Sequence, residues 1–165
     1  TIRSRCSRVD VGLPPAELAA AWLGEQGLDD AVTLLALSGG TPLDALRWNE
    51  AGDADERRTV LESLVRPEQL DPVTLGERWK GLAPRLWHAV VYKWLADLLA
   101  VRLQGRVRFN RDFADALSRL GSRADLAGLL GLAKRQAEEG RVLDHPLNRA
   151  LQIQAWLVQY RHLFD

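Results

Sequence analysis

Apolar residues recur at helical spacing along most of the chain, and the pattern is densest between Pro84 and Gln104. Residues three or four positions apart share one face of a helix. Two such sets occur here, at Trp87, Val91, Trp94 and Leu98 and at Tyr92, Leu95, Leu99 and Leu103. Lys93 and Asp97 alone interrupt the face between them. The pattern predicts a helix that is apolar nearly all round, and such a helix is either central or covered on its second side by a partner.

The last predicted helix has two distinct faces. Its core-facing stripe comprises Ala150, Ile153, Leu157, Tyr160 and Phe164. Its opposite face comprises Asn148, Gln152, Trp156 and Gln159. A tryptophan among amides on an otherwise solvated face is a candidate interface anchor. The alternative is that Trp156 packs under a neighbouring helix of its own domain, and the pattern leaves both interpretations open.

Glycine and proline signals divide the chain into successive helices. The predicted helices cover 16–26, 29–37 with Asp29 as the cap, 42–50, 54–66, 71–81, 84–104, 111–120, 123–139 and 145–163. Gly121-Ser122 is predicted to be a loop, and Ser7 to Val11 fits a short strand or an extended linker. Gly52-Asp53 marks a boundary. We therefore expect an all-α fold, with a small three-helix bundle followed by a domain of five to six helices.

The charge balance bears on whether the chain binds nucleic acid. Lys and Arg number 22, as do Asp and Glu, so the formal net charge is zero. A nucleic-acid-binding protein usually carries a basic excess, because its affinity comes from phosphate neutralisation. A local basic cluster is present nonetheless, and it comprises Arg102, Arg106, Arg108 and Arg111. A helical nucleic-acid-binding domain therefore remains an alternative.

Residues with catalytic or metal-binding chemistry are sparse. Cys6 is the one cysteine, which excludes an internal disulfide and fits a reducing, cytoplasmic setting. His88, His145 and His162 lack metal-ligand spacing, and no glycine-rich phosphate loop occurs. No apolar run reaches the length of a membrane span. We expect no self-contained active site, no cofactor, no metal and no membrane partner.

Arg5 lies between Ser4 and Cys6 at the start of the sequence, which does not begin with Met. An arginine in such a segment can reach outward and stabilise charge on a phosphate held by another chain. The alternative, which the tripeptide alone favours, is an ordinary surface loop. The missing Met leads us to expect a piece of a longer protein.

The order of the segments resembles that of clamp-loader subunits in the AAA+ ATPase family. RSRC resembles the SRC motif near the end of the nucleotide-binding domain, and the stretches LPPAELAAAWLGEQG and LLALSGGTPLDAL follow it where that family has a three-helix lid. APRLWHAVVYKWLADLL and HPLNRALQIQAWLVQYRHLF resemble the central and last helices of the collar. The resemblance implies three parts: the end of the nucleotide-binding domain in 1–8, the lid in 9–51 and the collar, which mediates subunit assembly, in 52–165.

The resemblance also implies roles for individual residues. Arg5, flanked by Ser4 and Cys6, matches the arginine finger that acts in trans on ATP held by a neighbouring subunit. In the ATP-hydrolysing gamma/tau subunits a sensor arginine follows the lid glycine, whereas Leu43 stands at that position here. A leucine cannot contact a phosphate, so the resemblance is to a non-hydrolysing subunit, with a gamma/tau fragment as the near alternative.

The implied partners follow from the same resemblance. They are the gamma/tau and delta subunits, with the sliding clamp and primed DNA contacted indirectly. Such a subunit is an accessory of DNA polymerase III, a DNA-directed DNA polymerase and hence a nucleotidyltransferase. An uncovered apolar collar would favour self-association of the isolated chain.

Overall fold

The computed structural model describes residues 5, 7, 9–140 and 148–165 of the chain. Within these residues the fold is all-α, as the sequence predicts, and it contains no strand. The helices are α1 (Ala16–Glu25), α2 (Ala31–Leu37), α3 (Pro42–Glu50), α4 (Asp53–Leu64), α5 (Pro72–Trp79), α6 (Pro84–Gln104), α7 (Ala114–Arg123), α8 (Leu126–Glu139) and α9 (Arg149–Arg161). Single 3-10 turns lie at Pro67–Gln69, Arg111–Phe113 and His162–Phe164.

The first three helices form a small bundle with its own apolar core, which we call the first bundle. Leu23 of α1, Leu37 of α2 and Ala45 of α3 are each almost completely buried in it. Gly39 and Gly40 end α2 with φ angles of 68° and 91°, a left-handed turn that glycine adopts without steric cost. Pro42 then starts α3, because its fixed φ suits the first helical turn.

Helices α4 to α9 surround a second, larger core, which we call the second bundle. Its central helix is α6, whose Val91, Trp94 and Leu98 are fully buried. Helices α4, α7 and α8 pack on α6, while α5 packs mainly on α9. The outer face of α6 leaves Tyr92 and Leu103 exposed. The apolar pattern thus predicts both the burial of this helix and its uncovered side.

The prediction of a loop at Gly121-Ser122 is wrong, because α7 continues to Arg123. A β-carbon at position 121 would lie 2.8 Å from Cγ1 of Val101 on α6. The missing side chain therefore allows close helix packing and does not mark a turn. The break comes at Ala124, and the Asp125 carboxylate then accepts the Gly128 N–H at 2.7 Å to cap α8.

The other helix ends deviate from the predictions by a few residues. Predicted helix 111–120 starts with a 3-10 turn and becomes α-helical only at Ala114. The last helix starts at Arg149 because Asn148 caps it, with the Leu151 N–H donating to Oδ1 at 3.2 Å. The predicted start of this helix at 145 falls outside the described residues, as does most of the segment before Val9. Ser7 and Val9 to Val11 form no strand.

The predicted division of the chain at 51/52 remains a prediction. The two apolar cores lie on opposite sides of it in sequence, yet Trp48 of α3 packs against both. The first bundle is therefore in direct contact with the second through one large side chain.

Candidate functional site

The segment from Gly105 to Asp112 connects α6 to α7, and a buried carboxylate holds it in place. Asp97 of α6 is completely buried. Its two oxygens accept the backbone N–H groups of Arg108, Phe109 and Asn110 at 2.7, 3.0 and 2.7 Å. One of them also accepts a hydrogen bond from Nδ2 of Asn110 at 2.8 Å. Four donors on one carboxylate fix the backbone of this segment, which we call the arginine loop.

A buried arginine fixes the far end of the arginine loop. Arg57 of α4 is 4% exposed. Its guanidinium donates to both carboxylate oxygens of Asp112 at 2.7 and 2.8 Å and to Oδ1 of Asn110 at 2.9 and 3.3 Å. Such a two-pronged contact fixes orientation as well as distance. Helices α4 and α6 therefore hold the loop from two sides.

The predicted basic cluster is exposed on this loop and beside it. Arg102, Arg106, Arg108 and Arg111 all face solvent, and within the described part of the chain none of their side chains forms an ion pair. The guanidinium of Arg108 lies 5.5 Å from the centre of the Phe109 ring. The loop thus presents positive charge on a rigid backbone.

Trp156 lies in the core and not on a solvated face, contrary to its interpretation as an interface anchor. The side chain is 5% exposed, its ring stacks on Tyr160 at 5.2 Å, and it meets the edge of Trp87 at 5.5 Å. The physical reason is that α5 and α6 cover this side of α9, as in the alternative interpretation. On the same face Asn148 is exposed and caps the helix, while Gln152 and Gln159 are half-buried. An interface role for these three amide residues remains a prediction.

A buried hydrogen-bond chain ties α9 to α6 and α4. Nε1 of Trp94 donates to the Tyr160 hydroxyl at 2.9 Å, and that hydroxyl donates to the Leu64 carbonyl at 2.9 Å. Burial raises the pKa of Tyr160, so the hydroxyl keeps its proton throughout the physiological range. The polar ends of both aromatic side chains are satisfied inside the core.

The joint between the two bundles contains a half-buried lysine. The Lys93 ammonium of α6 lies 4.4 Å from the centre of the Trp48 ring of α3. Burial, with a smaller contribution from the charge of Arg57, lowers the pKa of Lys93 to about 8, while Asp44 opposes this shift. Lys93, one of the two residues that interrupt the apolar pattern of α6, therefore lies where the two bundles meet.

The residues assigned to nucleotide chemistry lie on the surface. Arg5 is exposed in a turn, whereas its flanking residues Ser4 and Cys6 lie outside the described residues. Leu43, on the first turn of α3, is 64% exposed. Among the described residues, no hydrogen bond, ion pair or ring contact joins Arg5 to Leu43 or to the α9 face.

The two histidines that the structure describes, His88 and His162, have different partners and share no site. His88 lies with its Nδ1 2.7 Å from Nε2 of Gln136, and burial lowers its pKa. His162 lies 3.8 Å from the carboxylate of Asp165, and His145 is outside the described residues. Among the residues that the structure describes, no cluster of three potential metal ligands occurs. No helix in that part of the chain is long and apolar enough to cross a membrane.

Comparison with known proteins gives a match along almost the whole chain. No protein-family model and no solved structure matches the chain. Among curated proteins, the chain is similar to "DNA polymerase III subunit delta′" of Pseudomonas aeruginosa, with 28% identity over 177 aligned positions. The chain resembles a delta′ subunit. The alignment covers 99% of the chain and 53% of the relative, so the chain spans about half the length of the delta′ protein that it matches.

The match to delta′ agrees with the clamp-loader resemblance in the sequence. The roles of two residues, Asp97 and Arg57, could not be predicted from the sequence. Asp97 was visible as an interruption of an apolar face, but its partners were not. Arg57 gave no signal, because it lies in a charged run that is typical of a solvated helix start.

Proposed function

We propose that this chain serves as a delta′-type, non-hydrolysing subunit of a bacterial DNA polymerase III clamp loader. The observation that carries the proposal is the similarity to a delta′ subunit along 99% of the chain. Leu43 supports it, because an apolar side chain at the start of α3 offers no hydrogen bond to a nucleotide phosphate. The same residue argues against a gamma/tau ATPase fragment.

In this proposal Arg5 acts in trans on ATP bound by a neighbouring subunit. Its planar guanidinium carries a permanent charge and forms two parallel hydrogen bonds to phosphate oxygens. Such a group stabilises the charge that accumulates during phosphoryl transfer. Arg5 is exposed, so its side chain is accessible to another subunit.

The second bundle, as the collar, mediates assembly with gamma/tau and delta in the cytoplasm. Apolar side chains remain uncovered on its outer helices, and they include Tyr92, Leu103, Leu151 and Val158. Burial of such side chains against partner collars contributes to assembly, together with the predicted contacts of Asn148, Gln152 and Gln159. The sliding clamp and primed DNA are then handled by the complete complex.

The test is Arg5→Ala in the full-length subunit, reconstituted with gamma/tau and delta. We expect normal assembly by size-exclusion chromatography with light scattering. Clamp loading and DNA-stimulated ATPase activity should fall by roughly tenfold or more, because an arginine finger contributes on the order of 10³-fold or more at its site. Arg78→Ala, at an exposed position of α5, is the matched control and should leave both rates unchanged. Normal ATPase turnover of the Arg5→Ala complex would refute the finger assignment.

A second candidate function is direct nucleic-acid binding. The four exposed arginines Arg102, Arg106, Arg108 and Arg111 favour it, since they are available to phosphates. Affinity of the chain for DNA that falls steeply with salt would support this function. The absence of such affinity would leave the clamp-loader role.

A further inference from the structure

A groove of about 550 Å³ lies between the first bundle and the arginine loop. Its floor is apolar, and the bundle contributes Ala20, Val32 and Ala36 to it, while the loop contributes Phe109. Val32 is 60% exposed, so most of its side chain is uncovered. The groove is therefore an uncovered apolar surface with a defined shape.

Contacts within the chain hold both walls of the groove in place. On one side, the four hydrogen bonds to Asp97 fix the backbone from Arg108 to Asn110. On the other side, the glycine turn after α2 lies against the loop, since a β-carbon on Gly39 would be 3.6 Å from Cε1 of Phe109. A preformed site avoids the entropic cost of ordering its walls when a ligand binds.

The rim of the groove is strongly positive. Arg106, Arg108 and Arg111 line it, and Glu17 is the one acidic residue among its lining residues. None of the three guanidinium groups forms an ion pair with any described residue. Their charge is thus available to a ligand that combines carboxylates with apolar side chains.

We propose that this groove binds an acidic peptide segment of a partner protein. Leucine, isoleucine or phenylalanine side chains of the peptide lie on the floor formed by Ala20, Val32 and Ala36. Its aspartate or glutamate side chains accept hydrogen bonds from the arginine rim, in the two-pronged geometry that guanidinium and carboxylate favour. A nucleic-acid strand would satisfy the rim but would match the floor less well, because among the lining residues Phe109 alone offers an aromatic ring for base stacking.

The groove does not depend on the clamp-loader assignment, because it uses neither Arg5 nor the outer faces of α6 and α9. Its arginines are exposed, so they can be changed without opening either apolar core. The acidic-peptide groove and the assembly role can therefore be tested independently.

The test measures fluorescence polarisation of a short labelled peptide, in which aspartates alternate with leucine and phenylalanine, on the full chain. We expect binding that weakens by about tenfold in Arg106→Glu and in Arg108→Glu, because each change removes a charge-assisted contact and adds repulsion. Val32→Ser should weaken binding by about threefold through loss of apolar contact. Circular dichroism verifies that each variant is folded.

Arg102→Glu is the matched control, since Arg102 belongs to the same basic cluster but does not line the groove. It should change the affinity by less than about twofold. Peptides with asparagine in place of aspartate, or with serine in place of leucine and phenylalanine, should bind at least about tenfold more weakly.

Several results would overturn the proposal. They are absence of peptide binding, an equal loss in Arg102→Glu, and tight binding of the serine-containing acidic peptide. Preferential binding of a thymidine oligonucleotide that displaces the peptide would also overturn it, and would assign the arginine rim to nucleic acid. Chemical-shift changes confined to residues outside 16–40 and 105–111 would place the peptide elsewhere.

Discussion

At the scale of single residues, Asp97 determines the conformation of the arginine loop. We expect Asp97→Asn to lower the free energy of unfolding by about 3 kcal/mol, although the side chain keeps its shape. The amide can accept with one atom only, and each carboxylate oxygen of Asp97 accepts from two donors. Either the Arg108 and Phe109 N–H groups or the Asn110 N–H and Nδ2 groups therefore lose their partner. Urea-induced unfolding followed by circular dichroism measures the change.

Asp115→Asn, on the exposed first turn of α7, is the control for this change and should alter stability by less than about 0.5 kcal/mol. Hydrogen exchange adds a local readout, because the amides of Arg108 to Asn110 should lose protection before the helices do. If Asp97→Asn is as stable as the unchanged chain, the carboxylate does not hold the loop.

The sequence predicts some of these single-residue features and not others. Asp97 stands out as a charge on an apolar face, but its hydrogen-bond partners lie 11 to 13 residues further along, in a loop without periodicity. Trp156 is a residue whose burial the sequence pattern does not predict. Its neighbours on the helix face are amides, yet the packing of α5 on α9 buries it, and helix periodicity does not contain that tertiary information.

At the scale of helices, α5 and α9 pack so closely that a glycine is required between them. A β-carbon on Gly76 would lie 2.9 Å from the Ala150 carbonyl oxygen and would overlap the Gln154 side chain. We expect Gly76→Ala to lower the free energy of unfolding by about 1 to 3 kcal/mol, because the steric cost exceeds the gain in helix propensity. Thermal and urea unfolding measure the loss.

Gly24→Ala in α1 is the matched control, since no atom lies within 4 Å of a β-carbon at that position. It should raise stability by up to about 1 kcal/mol, which is the helix propensity difference alone. The two substitutions are chemically identical and should have opposite signs. A stabilising Gly76→Ala would show that the α5–α9 contact adapts without cost.

The glycines also show what a sequence can and cannot predict about helix ends. Gly39 and Gly40 terminate α2 as predicted, because their left-handed backbone is a local property. Gly121 was interpreted in the same way, but it lies inside α7, where Val101 of another helix determines its role. Local signals predict the number and order of the helices, whereas close packing between helices depends on contacts that are distant in sequence.

At the scale of the whole molecule, the two bundles meet at Trp48 and Lys93. The all-α class and the succession of a small bundle and a larger one follow from periodicity and from the glycine and proline signals. The groove could not be predicted, since it combines residues from α1, α2 and the α6–α7 connection. The conformation of the arginine loop could not be predicted either, since it depends on Asp97 of α6 and Arg57 of α4. Trp48 packs against both cores, so a change at this joint should influence both bundles.

The stability of this joint should depend on pH through Lys93. Its pKa is about 8 in the folded chain, against 10.5 for an unhindered lysine, because burial disfavours the ammonium. Below about pH 8 both the folded and the unfolded chain hold this proton. Between about pH 8 and about pH 10.5 the unfolded chain binds more protons, so the free energy of unfolding should rise with pH. We expect a rise of about 1 to 3 kcal/mol, reduced by the attraction of the Trp48 ring for the charged form.

Lys93→Met isolates this contribution, because methionine fills a similar volume without titrating. The free energy of unfolding of the unchanged chain should rise relative to that of Lys93→Met as the pH rises from about 7 to about 10. Lys134→Met, at an exposed position of α8, should show no such pH-dependent difference. A constant difference between the unchanged chain and Lys93→Met would mean that the ammonium is fully hydrated at the joint. That result would contradict the lowered pKa of Lys93 at the joint.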